Sequence, residues 1–189
     1  MRPIHVVPLG DADRTRVENL CGPLARVFRA HVEIREVSCD VEFFFDHVRV
    51  QYNSTKIIDF LQRDIARKKT VSGDGLPLKV LAVSSEDLFI PILTYVFGEA
   101  QLGGEIAVVS YHRLQNERYG LRPDPALAQS RLLKESIHEL GHTFGLIHCS
   151  SQECVMHTST YAEDIDLKHD AFCPACQEVL QSGLHSSGA

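Results

Sequence analysis

The segment His138-Glu139-Leu140-Gly141-His142-Thr143-Phe144-Gly145-Leu146-Ile147-His148 constrains this chain more than any other. On an α-helix, residues four apart differ by about 40° in direction and about 6 Å in rise, so His138 and His142 can grip one metal ion. Glu139 points about 100° away from His138, beside such a metal, where it can handle a water. His148 does not fit the same helix. A straight continuation would turn it about 100° from the other two and carry it about 9 Å past His142, far beyond metal–nitrogen bonds of about 2.1 Å. The chain must break its helix between the second and third histidines and turn back. Gly145 is placed for that break, as a left-handed residue just past a helix end. Three neutral imidazoles leave a fourth position open, as catalytic zinc sites do, and lower the pKa of a water held there toward about 7. Glu139 is then the expected general base, taking the proton as that water attacks a carbonyl and passing it to the leaving amine. The alternative for these residues is a helix whose His and Glu make ordinary hydrogen bonds.

A second cluster follows directly. Cys149-x4-Cys154 and Cys173-Pro174-Ala175-Cys176 supply four thiolates in two close pairs, a spacing suited to a closed tetrahedral zinc site with a structural role. Only 41 residues follow His148, too few for a separate core. A structural zinc worth about 10–16 kcal/mol in small peptides would dominate the order of such a segment. Two disulfides or scattered buried thiols are the alternatives, and His157 or His169 could replace one cysteine.

Along the rest of the chain, apolar periodicity alternates between two and 3.6 residues. Residues 2–9 read as a buried strand, and Asp11 or Asp13 caps a helix to about residue 30 through Val17, Leu20, Leu24, Val27 and Phe28. Residues 32–37 read as a strand and 41–50 as a strand or extended excursion. Asn53 or Ser54 starts a helix through Ile57, Ile58, Leu61 and Ile65, ending in the basic run 67–69, where cations complement the helix dipole. Residues 72–77 form a turn, 78–83, 94–97 and 105–110 are strands, and Asp124-Pro125 opens the helix that carries the first two histidines. Residues 186–189 are a small polar tail. This alternation implies an α/β layer with a mixed sheet.

The size, 189 residues, suits one domain or one with a small appendage. The net charge of −6 speaks against a basic nucleic-acid surface, and no apolar stretch approaches a membrane span. One arginine and a short apolar stretch before Asp11 do not read as a secretory signal, so cytoplasmic location is expected.

With HELGHTFGLIHC, then CVM, then CPAC in place, the chain resembles an archaemetzincin, a family of metzincin-clan zinc metallopeptidases. The resemblance rests on residues 138–176. It implies an α/β (α+β) metzincin-like fold: a twisted mixed β-sheet with two long helices over 1–148, a small zinc-stabilised subdomain over 149–189, and a cleft between them. It implies two Zn2+ per chain, a catalytic one on His138, His142 and His148 and a structural one on Cys149, Cys154, Cys173 and Cys176. Glu139 would be the base and Met156 the methionine of a Met-turn, packed beneath the imidazoles. Thr158 stands where some metzincins place a tyrosine ligand, with Tyr161 nearby.

By the same resemblance the substrate is a peptide or protein, cleaved in an aminopeptidase-like manner when small and bound as an added strand. Thr94, Tyr95, Val96 and Phe97 are the expected edge for it. Glu99 or Glu105 could read a free amino terminus, or could simply be solvated turn charges. A different class of function fits the same residues: a catalytically weak or silent zinc-stabilised module that binds a peptide or protein without cutting it.

Overall fold

In a computed structural model, which describes residues 3–72 and 79–185, strands and helices alternate as the periodicity requires. β1 (Ile4–Leu9), α1 (Arg14–Phe28) and β2 (Val32–Ile34) come first. A 3-10 turn at Val41–Phe44 leads to β3 (Phe45–Asp46), β4 (Gln51–Asn53) and α2 (Ser54–Ser72). β5 (Lys79–Ser84), β6 (Leu88–Phe89), β7 (Gly98–Ala100) and β8 (Ile106–Ser110) follow. Then come α3 (Pro125–Thr143), α4 (Ala162–Asp166) and α5 (Pro174–His185). The expected turn at 72–77 and the tail at 186–189 lie outside the described residues, Ser72 excepted.

The main sheet has the order β2-β1-β5-β8-β7, with every neighbouring pair parallel except β7, which runs antiparallel to β8 at the edge. β5 and β8 are buried along their whole lengths, as central parallel strands covered on both faces must be. Alternation sorts their side chains. Ile4, Val6, Leu81, Val83, Ala107 and Val109 pack toward α1 and α3, whereas Val7, Leu9, Val80, Ala82, Ile106 and Val108 pack toward α2. Val155, Met156, Ile165, Phe172 and Leu180 join the first of these clusters, so the segment after His148 shares the core of α1 and α3.

The helix starts follow their caps. Asp13 Oδ1 accepts the amides of Thr15 and Arg16, Asn53 Oδ1 that of Lys56, and Asp124 Oδ1 that of Leu127, with Pro125 in the first turn. Buried Arg131 ties α3 to α4 through two bonds to Asp166, at 2.8 and 2.6 Å, and reaches the Leu114 carbonyl at 3.0 Å.

Two strand expectations need correction. Residues 94–97 form no strand: Val96 makes a single antiparallel bridge to Leu88, and the strand at this edge of the main sheet is β7, immediately downstream. Side chains have captured the backbone there, since Arg49 Nη1 donates to the Leu93 carbonyl at 2.7 Å and Gln51 Nε2 to the Thr94 carbonyl at 3.0 Å. Residues 41–50 are not one strand either. Asp40 and Asp46 accept nearby amides, folding the chain into local turns instead of a ladder.

In the β3–β4 connection Val50 has φ +56 and is exposed, a left-handed conformation that a β-branched residue adopts at a cost. Val50→Asn should therefore raise the urea midpoint, stabilising the fold by about 1 kcal/mol.

Candidate active site

α3 stops where the third histidine demands it. The Gly145 amide donates to the His142 carbonyl at 2.9 Å and the Leu146 amide to the Gly141 carbonyl at 3.1 Å, the paired bonds of a Schellman ending. Gly145 has φ +91, which an L-residue with a side chain rarely adopts. Lys79, buried in β5, donates to the Thr143 carbonyl, placing a cation at the negative end of the helix.

Beyond this break His148 swings back. Its ring centroid lies 5.3 Å from that of His138 and 5.0 Å from that of His142, and one ring nitrogen from each of the three falls within 4.8 Å of the others. Carbonyls fix the tautomers. His138 Nδ1 donates to the Val155 carbonyl at 2.8 Å and His142 Nδ1 to the Leu146 carbonyl at 2.7 Å, so both Nε2 atoms present lone pairs. Those two Nε2 atoms face each other at 3.1 Å. Two lone pairs repel at that distance unless a cation lies between them, and a tetrahedral metal with bonds of about 2.0–2.1 Å spaces its nitrogens at about 3.3 Å. The donor set therefore fits zinc. Burial pushes the His138 pKa down to about 4 and lowers that of His142, keeping both neutral and ready to ligate.

Glu139 is buried beside the histidines, with its pKa raised well above the carboxylate range by burial first, then by the Glu135 and Glu99 carboxylates. Gly98 at the start of β7 lies directly against it. A Cβ there would meet Glu139 Cγ at 2.6 Å and the Val108 carbonyl at 2.7 Å. Met156 is fully buried against α3 at Gly141, where a Cβ would meet its sulfur at 2.5 Å.

The sequence places Gly98 in a connection between strands and Gly141 within the histidine motif, with no packing role read for either. Gly141 carried a readable signal, since glycine inside a helix is disfavoured by about 1 kcal/mol unless packing requires it.

Lys168 carried none. It is buried and donates to Glu135 at 3.0 Å, to the His157 carbonyl at 3.1 Å and to the Val155 carbonyl at 3.4 Å. Val155 thus serves both Lys168 and the His138 imidazole. Cys149 completes the fastening: its amide donates to the Met156 carbonyl at 2.9 Å, and its carbonyl accepts from His157 Nδ1 at 2.8 Å.

A cavity of about 570 Å³ opens over His138, Glu139 and His148. Thr94, Tyr95, Val96 and Phe97 line its upper side as irregular chain, and residues 158–161 line the lower side, Thr158 and Tyr161 included. Glu99 and Glu105 are not among the lining residues. Glu99 instead accepts the hydroxyls of Ser54 and Thr55 at the start of α2.

The four cysteines also converge. The Sγ atoms of Cys149, Cys154, Cys173 and Cys176 lie within 4.8 Å of one another, with Cys149 and Cys173 at 3.8 Å. A tetrahedral zinc with Zn–S bonds of about 2.3 Å spaces its sulfurs at about 3.8 Å. All four are free thiols, as are Cys21 and Cys39. Cys173 precedes α5, where the Cys176 amide lowers its thiol pKa to about 7, while burial raises that of Cys154.

The interrupted helix, the buried carboxylate beside three convergent imidazoles, and the cleft above them define a zinc metallopeptidase, a hydrolase. The family model for peptidase family M54 matches residues 27–182. The archaemetzincin of Methanocaldococcus jannaschii is 35% identical over 187 residues, covering 97% of this chain and 96% of its own. The crystal structure of the Methanopyrus kandleri archaemetzincin superposes with a TM-score of 0.79 at 32% identity, covering 97% of this chain and 96% of that one. A zinc-dependent peptidase from Methanocorpusculum labreanum gives 0.83 at 30% identity, covering 94% and 99%. The chain belongs to peptidase family M54, the archaemetzincins.

Two outcomes follow from this geometry. Gly141→Ala forces Met156 off the helix and should cost about 1–3 kcal/mol in urea denaturation, whereas Leu133→Ala, half-buried on the same helix, creates no such clash. In the metal-free chain, His138 takes up a proton more readily unfolded than folded. Stability should therefore be full above pH 6.5 and fall as the pH drops to about 4, by at most about 3 kcal/mol from this group. Unfolding midpoints measured across that range check the slope, and His138→Gln should flatten it.

Proposed function

We propose that this chain hydrolyses peptide bonds with a catalytic zinc held by His138, His142 and His148 and with Glu139 as general base. The observation that carries this reading is the facing pair of Nε2 lone pairs at 3.1 Å with the buried Glu139 carboxylate alongside. When bound, zinc supplies Lewis acidity to the attacking water and to the scissile carbonyl. Glu139 accepts the proton of that water and delivers it to the leaving amine. Gly145 and Met156 support the ligands by turning the chain and packing beneath the helix. β7, an edge strand whose Gly98 lines the cavity, offers the rim against which a peptide lies. The substrates are short peptides, cleaved near an end in the aminopeptidase-like manner that the family resemblance implies.

Cys149, Cys154, Cys173 and Cys176 hold a second, structural zinc in the same proposal, organising residues 149–185 around it. Six free thiols suit a reducing compartment, and the cytoplasm is the location we assign.

The zinc-loaded chain should cut members of a short-peptide library, lose this activity to a chelator, and regain it with added zinc. Glu139→Gln should lower kcat by about 10²–10⁴-fold while retaining the metal measured by elemental analysis. If the zinc-loaded chain binds peptides that it never cuts, and Glu139→Gln behaves identically, the reading falls to a non-catalytic binding module.

A further inference from the structure

One hydrogen bond crosses the cleft. Tyr95 Oη donates to the Thr160 carbonyl at 2.7 Å, joining a residue of the upper side to one of the lower.

Both ends of this crossing are fastened. Above, the Arg113 guanidinium lies 4.2 Å from the centroid of the Tyr95 ring, and Asp87 holds that guanidinium through two bonds of 2.6 Å. Phe97 packs edge-on against the same ring at 5.6 Å. Gln51 Nε2 binds both Asp87 and the Thr94 carbonyl at 3.0 Å, securing the neighbour of Tyr95. Below, the Asp164 carboxylate at the start of α4 accepts the amides of Thr160 and Tyr161, each at 2.8 Å. A hydrogen bond between two loose segments contributes little. This one links two segments already set in place, so parting it also strains their anchors.

The crossing obstructs a peptide. An extended chain in contact with a neighbouring strand needs about 4.7–4.9 Å of lateral spacing and advances about 3.3 Å per residue. A tyrosine spanning from wall to wall leaves no such passage at its end of the cleft. Toward Gly98 and β7, no hydrogen bond among the described residues joins the upper side to 158–161.

We infer that the Tyr95–Thr160 crossing closes one end of the cleft, so that the site receives the end of a peptide chain and refuses bonds deep within a long one. This rests on the peptidase reading and assigns its preference for chain ends to these two residues.

Two series of hydroxamate-bearing peptides test it on the zinc-loaded protein by calorimetry. One carries the hydroxamate at the carboxyl end, the other on an amino-terminal succinyl cap, and each is lengthened from one residue to four. In the wild-type chain one series should hold or gain affinity with length, while the other should lose at least about tenfold from the second residue onward. Tyr95→Phe keeps the ring against Arg113 and Phe97 and should narrow the gap between the series by about fivefold, the worth of one hydrogen bond. Equal length dependence of the two series in the wild type overturns the inference, as does an unchanged gap in a folded Tyr95→Phe. Should that variant not fold, the wild-type comparison decides alone. Binding of both probe types without cleavage of any peptide would overturn the peptidase reading and leave the crossing standing. No binding by the zinc-loaded chain would overturn both.

Discussion

At the carboxyl end of α3 the backbone reverses through a single left-handed glycine, and the arrangement of the site follows from that turn. Without it His148 would travel on with the helix axis, and Cys149 could not meet the Met156 carbonyl. The turn is secured from two directions. The Gly145 and Leu146 amides satisfy carbonyls that the helix leaves open, and Lys79 approaches the Thr143 carbonyl from the sheet. A side chain at residue 145 would add backbone strain at the point where three imidazoles must agree on one centre.

Beneath that centre the protein places charge where burial is costly. Lys168 and Glu135 are both nearly inaccessible, and removing two ions from water costs several kcal/mol that an ion pair only partly offsets. Their placement accounts for the expense. Lys168 bonds the Val155 and His157 carbonyls, which flank Met156, and Glu135 sits one helical turn before Glu139. The pair spans α3 and the segment around Met156, so the imidazoles and the side chain packed against their helix share one fixed frame. Its positive member also opposes the rise in proton affinity that burial and neighbouring carboxylates impose on Glu139.

Features encoded over a few residues were legible in the sequence. The Asp124-Pro125 start of α3, the break at Gly145 and the gathering of four cysteines each follow from a spacing or a local conformational preference, and each is present. The central strands were legible because unbroken runs such as those in β5 and β8 suit a sheet covered on both faces. Residues 94–97 misled because aromatic and β-branched side chains signal a strand only when the backbone is free to pair. Here Arg49 and Gln51, more than 40 positions upstream, occupy the carbonyls of Leu93 and Thr94. The Lys168–Glu135 and Tyr95–Thr160 pairings were illegible for a related reason. Their members lie 33 and 65 positions apart, and no local pattern marks either pair.

His148 and Cys149 are consecutive residues that belong to different clusters. With the cysteines gathered, one peptide bond tethers the third imidazole, and a shorter stretch of chain has to be ordered to bring it near the other two. Whatever holds the sulfur cluster in place therefore also narrows where the third imidazole can go, so the two clusters answer to one shared constraint.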